Sequence, residues 1–135
     1  MREREYLPEN LLRKASVSEG GECAWKQEDV SEVINAAKRA SVVNLGGQPQ
    51  FQGPIGTSEP YWLNFGPSER NENEAYSEYV ERAATETLAA FQHMVNNTNF
   101  IQVGVENWEH IREANIAGMD ILNHLWFVLY FDKSS

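Results

Sequence analysis

The chain has 135 residues, 41% of them apolar and 23% charged, with a formal net charge of −9 and one cysteine. That length corresponds to one domain, and such a domain buries roughly two-thirds of its unfolded surface, enough to fold without disulfides or metals. Twenty acidic residues against eleven basic ones lack the basic footprint that phosphate binding needs, so nucleic acid and anionic membranes are excluded as partners; a basic protein partner is the one such a charge would steer.

Residues 1–22 are charged and close on Ser18-Glu19-Gly20-Gly21. They predict a loosely attached N-terminal arm, with one helical turn at Leu11-Leu12 after Pro8, leading into a single domain over 23–135. The opening Met-Arg-Glu-Arg-Glu has no apolar stretch of the signal-peptide kind. A lone Cys23 forms no intrachain disulfide, and together these features read as a cytoplasmic chain. Trp25 is expected as a core anchor just ahead of a helix over 26–40, where Val30, Val33, Ile34, Ala37 and Ala40 fall on one face. Glu28 and Asp29 open that helix and Lys38 and Arg39 close it, as the macrodipole favours.

A strand is predicted from 41 to about 52, bent at Gly46-Gly47. Pro54-Ile55-Gly56-Thr57 is a turn signal, and a second strand is expected over about 58–65, carrying Tyr61-Trp62-Leu63-Asn64-Phe65. The longest helix is read over 72–96, with Tyr76, Val80, Ala83, Ala84, Thr87, Leu88, Phe91 and Val95 as its buried stripe. Glu78 is placed to pair with Arg82 at i,i+4. A third helix is expected over 104–116, with Glu106, Glu109 and Glu113 on its outer side, followed by one turn within 119–124. Leu125–Phe131 carries no charge and fits a central strand; it is too short to span a bilayer. The elements sum to an α+β fold, a small, mainly antiparallel sheet with helices packed on one face.

No residue set marks catalysis. Gly46-Gly47 lacks the third glycine of a dinucleotide loop and the lysine of a P-loop. Glu106, His110 and Glu113 share a helical face, but one histidine without a Cys pair is a weak metal set, and no metal or cofactor is expected. Cys23 sits beside acid, which raises a thiol pKa and argues against a nucleophile. The carboxylates are scattered at helix-surface spacing, without an acid/base pair marked out. Aromatic residues say more. Phe127, Leu129 and Phe131 point to one side of the last strand and Trp126, Val128 and Tyr130 to the other. The second side is either covered by the N-terminal arm or open for contacts.

Ala24-Trp25 at a helix start, Val43–Gly47 ending a strand in Gly-Gly, Tyr61-Trp62, the helical Tyr79-Val80-Glu81-Arg82-Ala83 and a closing Phe127-Val128-Leu129 occur in this order. Over about residues 24–131 the chain resembles a small immunity-protein family of bacterial polymorphic toxin systems. The resemblance implies a non-enzymatic antitoxin that binds a cognate protein toxin and blocks it, a basic toxin acting on nucleic acid being well suited to an acidic inhibitor. On that reading the expected partner-binding residues are Tyr61, Trp62, Glu69, Glu72, Glu74, Glu78, Glu106, Glu109 and Glu113. Two other readings stand beside it: a cytoplasmic small-molecule binder or minor enzyme with a pocket between sheet and long helix, and a homodimer or larger self-assembly pairing through an open sheet face.

Overall fold

The computed structural model describes residues 3–53 and 56–132. A 3-10 turn at Glu3–Glu5 leads to α1 (Glu9–Lys14), β1 (Ser16–Val17), β2 (Cys23–Trp25) and α2 (Gln27–Arg39). Next come β3 (Val43–Gly53), β4 (Gly56–Ser58), α3 (Tyr76–Asn97), α4 (Phe100–Asn107) and α5 (Glu109–Ile116). A second 3-10 turn at Ile121–His124 feeds β5 (Leu125–Asp132). The fold is α+β: the five strands form one antiparallel sheet in the order β1-β2-β5-β3-β4, and the last strand lies at its centre.

Alternation along β5 divides the sheet into two different faces. Phe127 and Leu129 enter the main core with Trp25, Phe65, Phe91, Phe100 and the apolar stripe of α2. The rings of Phe65, Phe91 and Phe100 stand 6.4, 5.1 and 5.8 Å from that of Phe127, so aromatic packing fills the space between the sheet and α3. Val30, Val33, Ile34 and Ala37 of α2 are all buried, as their spacing predicts, and Trp25 is fully buried with its indole N–H donating to the Leu11 carbonyl at 2.8 Å.

That bond also anchors the N-terminal segment. Residues 3–22, expected as a loose arm, put Leu7 and Leu11 into the core, edge Tyr6 against the ring of Phe131 and add β1 to the sheet.

The Gly-Gly pair is a β-bulge. Asn44 faces Phe131 and Gly46 faces Tyr130, leaving Leu45 as the extra residue. Gly46 has φ +95°, and a Cβ on it would lie 1.9 Å from the Phe65 carbonyl oxygen. A Cβ on Gly47 would lie 2.1 Å from the Val128 carbonyl oxygen. The missing side chains let residue 65 approach, and Gly47 and Phe65 exchange two backbone hydrogen bonds at 2.8 and 3.0 Å. Phe65 is thereby delivered into the core.

Three expected elements take other forms. The strand over 58–65 does not form: β3 pairs instead with Gly56–Ser58, and of residues 60–65 only Phe65 makes a bridge, to Gly47. Pro60 has no N–H to give a ladder, and Asn64 Nδ2 donates to the Tyr61 carbonyl at 3.2 Å, so 60–64 closes into turns. Pro54 and Ile55 of the expected turn lie outside the described residues. The long helix starts at 76, not 72. Asn71 N–H donates to the Glu74 carboxylate at 3.0 Å and Glu74 N–H to the Asn71 carbonyl at 3.1 Å, a local turn that competes with helix.

The expected helix over 104–116 is two helices broken at Trp108, whose φ and ψ of −134° and 123° are extended. The first begins earlier, at 100, because the Asn99 side chain caps the N–H of Gln102 at 3.1 Å.

Candidate functional site

The α4–α5 break builds an aromatic platform. Trp108 leaves the helical path and stacks on Trp62, with centroids 6.0 Å apart and planes within 16°. Its other neighbour is Phe51, edge-on at 6.0 Å. Tyr61 meets Trp62 edge-to-face at 5.5 Å. Gly104 permits this elbow, since a Cβ there would lie 2.8 Å from Ile111, and Arg112 Nε ties the two helices by donating to the Val105 carbonyl at 3.1 Å. Although stacked, Tyr61 is 71% and Trp62 48% exposed. Two large rings are thus held in place and left facing solvent.

The acidic residues expected beside them fall into two groups. Glu106 on α4 and Glu109 and Glu113 on α5 are exposed around the elbow; the helix break separates Glu106 from the other two, so the three do not form the single face that their spacing predicts. Glu106 accepts from the Gln102 amide at 2.8 Å. Glu69, Glu72, Glu74 and Glu78 lie around the start of α3, and here two expectations are corrected. Arg82 pairs with Glu74 and Glu86, not Glu78, at 2.7 and 3.0 Å. Glu78 instead caps its own helix, accepting from the Ala75 N–H at 3.0 Å.

Arg82 also donates to the Ser68 hydroxyl and the Glu69 carbonyl, fastening the 67–75 loop to α3. Its guanidinium holds the Glu74 carboxyl down at about 2, and only 9% of the Glu74 side chain is exposed. Glu74 serves this loop and offers little to a partner. Among the described residues, Glu69, Glu72, Glu78, Glu106, Glu109 and Glu113 are in no ion pair.

His110, His124 and the cysteine have packing roles, while His93 is exposed on α3. His110 Nε2 lies 2.9 Å from the Ser58 hydroxyl, joining α5 to β4. His124 Nδ1–H donates to the Gln52 carbonyl at 2.9 Å. Among the described residues no three His, Cys, Asp or Glu side chains are grouped to hold a metal ion. Cys23 is buried with its thiol 3.4 Å from the Glu3 carboxylate, and burial, then the Glu3 charge, push it up to about 12. A thiol so held is not a nucleophile at neutral pH.

A second feature lies on the opposite side of the sheet. Gln48, Gln50 and Gln52 point there, with Trp126, Val128 and Tyr130. The Gln48 amide donates to the Glu59 carboxylate at 2.9 Å, the Gln50 amide donates to the same carboxylate, and the Gln52 amide donates to the side-chain oxygen Oε1 of Gln50 at 2.6 Å. The row ends where the Ser16 hydroxyl donates to Gln52 Oε1 at 2.7 Å. Ser16 is on β1 and Gln52 on β3, with β2 and β5 between. In a flat sheet three strand spacings amount to about 14 Å, too far for a serine to reach a glutamine. The sheet is therefore curled, and the face away from the helices is concave.

The period-2 run Gln48-x-Gln50-x-Gln52 is the signal that identifies one face of amides from the residues alone; the curl that closes them into a groove leaves no such trace. Nor does the break at Trp108.

No family model, curated protein or solved structure matches this chain. Among the described residues no helix is long and apolar enough to cross a membrane.

Proposed function

We propose that this protein is a cytoplasmic, immunity-type inhibitor that binds and neutralises a basic protein toxin. The observation that carries the reading is the exposed Tyr61–Trp62 pair, fixed on Trp108 at an elbow bearing Glu106, Glu109 and Glu113. Pre-ordered aromatic rings lose little side-chain freedom on docking, and Trp and Tyr dominate the energetics of protein interfaces. The surrounding carboxylates, in a chain of net charge −9, supply long-range attraction for a basic surface. Two held, exposed rings beside helices that carry exposed carboxylates fit an apolar anchor with polar neighbours.

The test is a tagged pull-down from the source cells, with the partner identified by mass spectrometry, then produced separately and assayed for toxicity. A stoichiometric partner whose toxicity this chain abolishes is the expected result. The Tyr61→Ala/Trp62→Ala double variant should retain its fold and lose at least about 2 kcal/mol of binding. Failure to recover any toxic partner where the toxin is demonstrably expressed would overturn the proposal. Unchanged affinity of the double variant would move the interface elsewhere.

A further inference from the structure

Several partly exposed rings of this chain are covered by its own cations. The Lys26 ammonium lies 4.7 Å from the centroid of Trp126. The Arg70 guanidinium lies 5.8 and 5.9 Å from the rings of Tyr76 and Tyr79, and that of Arg82 lies 5.2 Å from Tyr79. All four separations are inside the reach of about 6 Å over which a ring face attracts a cation. Among the described residues no cation of the chain lies over Tyr61, Trp62 or Trp108, although Tyr61 and Trp62 are the most exposed aromatic side chains described. Arg112, the basic residue of the elbow itself, is turned to backbone, its Nε donating to the Val105 carbonyl.

The uncovered pair has a definite shape. Trp108 takes one face of Trp62, within 16° of parallel. The Tyr61 and Trp62 planes stand at 81°, with centroids 5.5 Å apart. Whichever ring supplies the edge, such a pair leaves a corner walled by two π surfaces. Glu106 and Glu109, on either side of Trp108 in the chain, are exposed and in no ion pair among the described residues, so the local negative field is not neutralised from within.

We propose that this corner receives an arginine side chain of the partner protein, its guanidinium lying flat on one ring in the manner of Lys26, Arg70 and Arg82 on theirs. The inference rests on the proposed docking at Tyr61–Trp62 and adds which side chain is read there. The occupant follows from charge and shape. An anion is repelled by a chain of net charge −9. A proline stacks on aromatic rings but gains nothing from that charge. A rounded, strongly hydrated ammonium is held best by a cage closed on several sides, whereas a planar, weakly hydrated guanidinium stacks on a single face and fits two walls meeting at an angle.

The test needs no toxin. The 15N-labelled full chain is titrated at fixed low ionic strength with capped tetra-arginine, tetra-lysine and tetra-proline peptides. Equal charge on the first two removes long-range attraction from the comparison. Tetra-arginine should shift the Trp62 indole N–H saturably, while the indole of the buried Trp25 stays still, and should bind at least about threefold more tightly than tetra-lysine. Trp62→Leu should erase that preference and leave the weaker, charge-driven binding common to both basic peptides. Equal affinity of the parent chain for arginine and lysine peptides, tighter binding of tetra-proline, or shifts that spare Trp62 would each overturn the inference. A toxin that is captured and weakened by Tyr61→Ala/Trp62→Ala, alongside equal binding of the two basic peptides, would keep the proposed function and remove only the arginine.

Discussion

The two faces of β5 carry similar residues and solve opposite problems. Phe127 and Leu129 are buried by carbon, against Phe65, Phe91, Phe100 and α2. Val128, between them in sequence, is equally inaccessible at 1%, yet its face is lined by amides, a hydroxyl and the Glu59 carboxylate, which bond to one another. Burial is therefore not the same as belonging to a dry core. One face supplies non-directional stability from apolar area. The other depends on geometry, because each buried amide there costs free energy unless its partner is in place.

Four substitutions break or sharpen that comparison. The largest effect is expected on the dry face. Phe127→Ala removes the ring on which three others converge and should cost about 3–5 kcal/mol in denaturant unfolding. A much smaller loss would mean that the aromatic cluster collapses around the gap. On the concave face, Gln50→Leu keeps the approximate shape but deprives the Glu59 carboxylate and the Gln52 amide of a partner; a loss of about 1–3 kcal/mol is expected by the same measurement. A neutral or stabilising outcome would show that the amide row is filler, and the contrast between the faces would fail.

Thr87 tests the dry side from the opposite direction. It is fully buried within α3 and its hydroxyl has no hydrogen-bond partner among the described residues. Thr87→Val should stabilise by about 1 kcal/mol, since an unsatisfied hydroxyl is replaced by a methyl. A destabilised variant would imply that the hydroxyl finds a partner in solution.

The smallest global effect belongs to the Arg82–Glu74 pair, outside both faces. Glu74 titrates at about 2 when folded, against an ordinary value of 4.5. Its folded pKa is lowered, so its contribution is complete above the ordinary value and is lost as pH falls from there toward 2. Protection of the 68–75 amides, taken relative to their intrinsic exchange rates, should fall over that window in the parent chain. In Arg82→Met it should already be low at neutral pH and vary less with acid. An identical pH response in both would detach the loop from this pair.

The residues legible in advance were those whose environment follows from local period. The α2 stripe at Val30, Val33, Ile34 and Ala37, the α3 stripe from Val80 to Phe91, and the charge-free central strand at the C-terminus all obey a spacing that one element sets by itself. Gly46-Gly47 was legible as a bend, because paired glycines inside a strand leave few other uses. Residues 60–65 show the limit of period: Tyr61-Trp62-Leu63-Asn64-Phe65 alternates like a strand, but Pro60 and Asn64 settle the backbone of 60–64 into turns.

The candidate site was half legible. Tyr61 and Trp62 stood out as residue types suited to an interface, and they are exposed. Their rigidity was not visible, since it comes from Trp108, 46 positions after Trp62. Glu74 looked like its acidic neighbours and differs from them only because folding brings Arg82 within 2.7 Å.

Composition and periodicity by themselves determined an acidic α+β domain with a central last strand, because charge is a sum and helix and strand faces are local repeats. Tertiary structure alone decided the break at Trp108, the diversion of Glu74 into a loop clamp and the curl that brings Ser16 to Gln52. Each is a contact between separate segments, Glu74 reaching from a loop to Arg82 on α3 and the other two spanning much longer stretches of chain, and its energy depends on distances that no helix or strand period encodes.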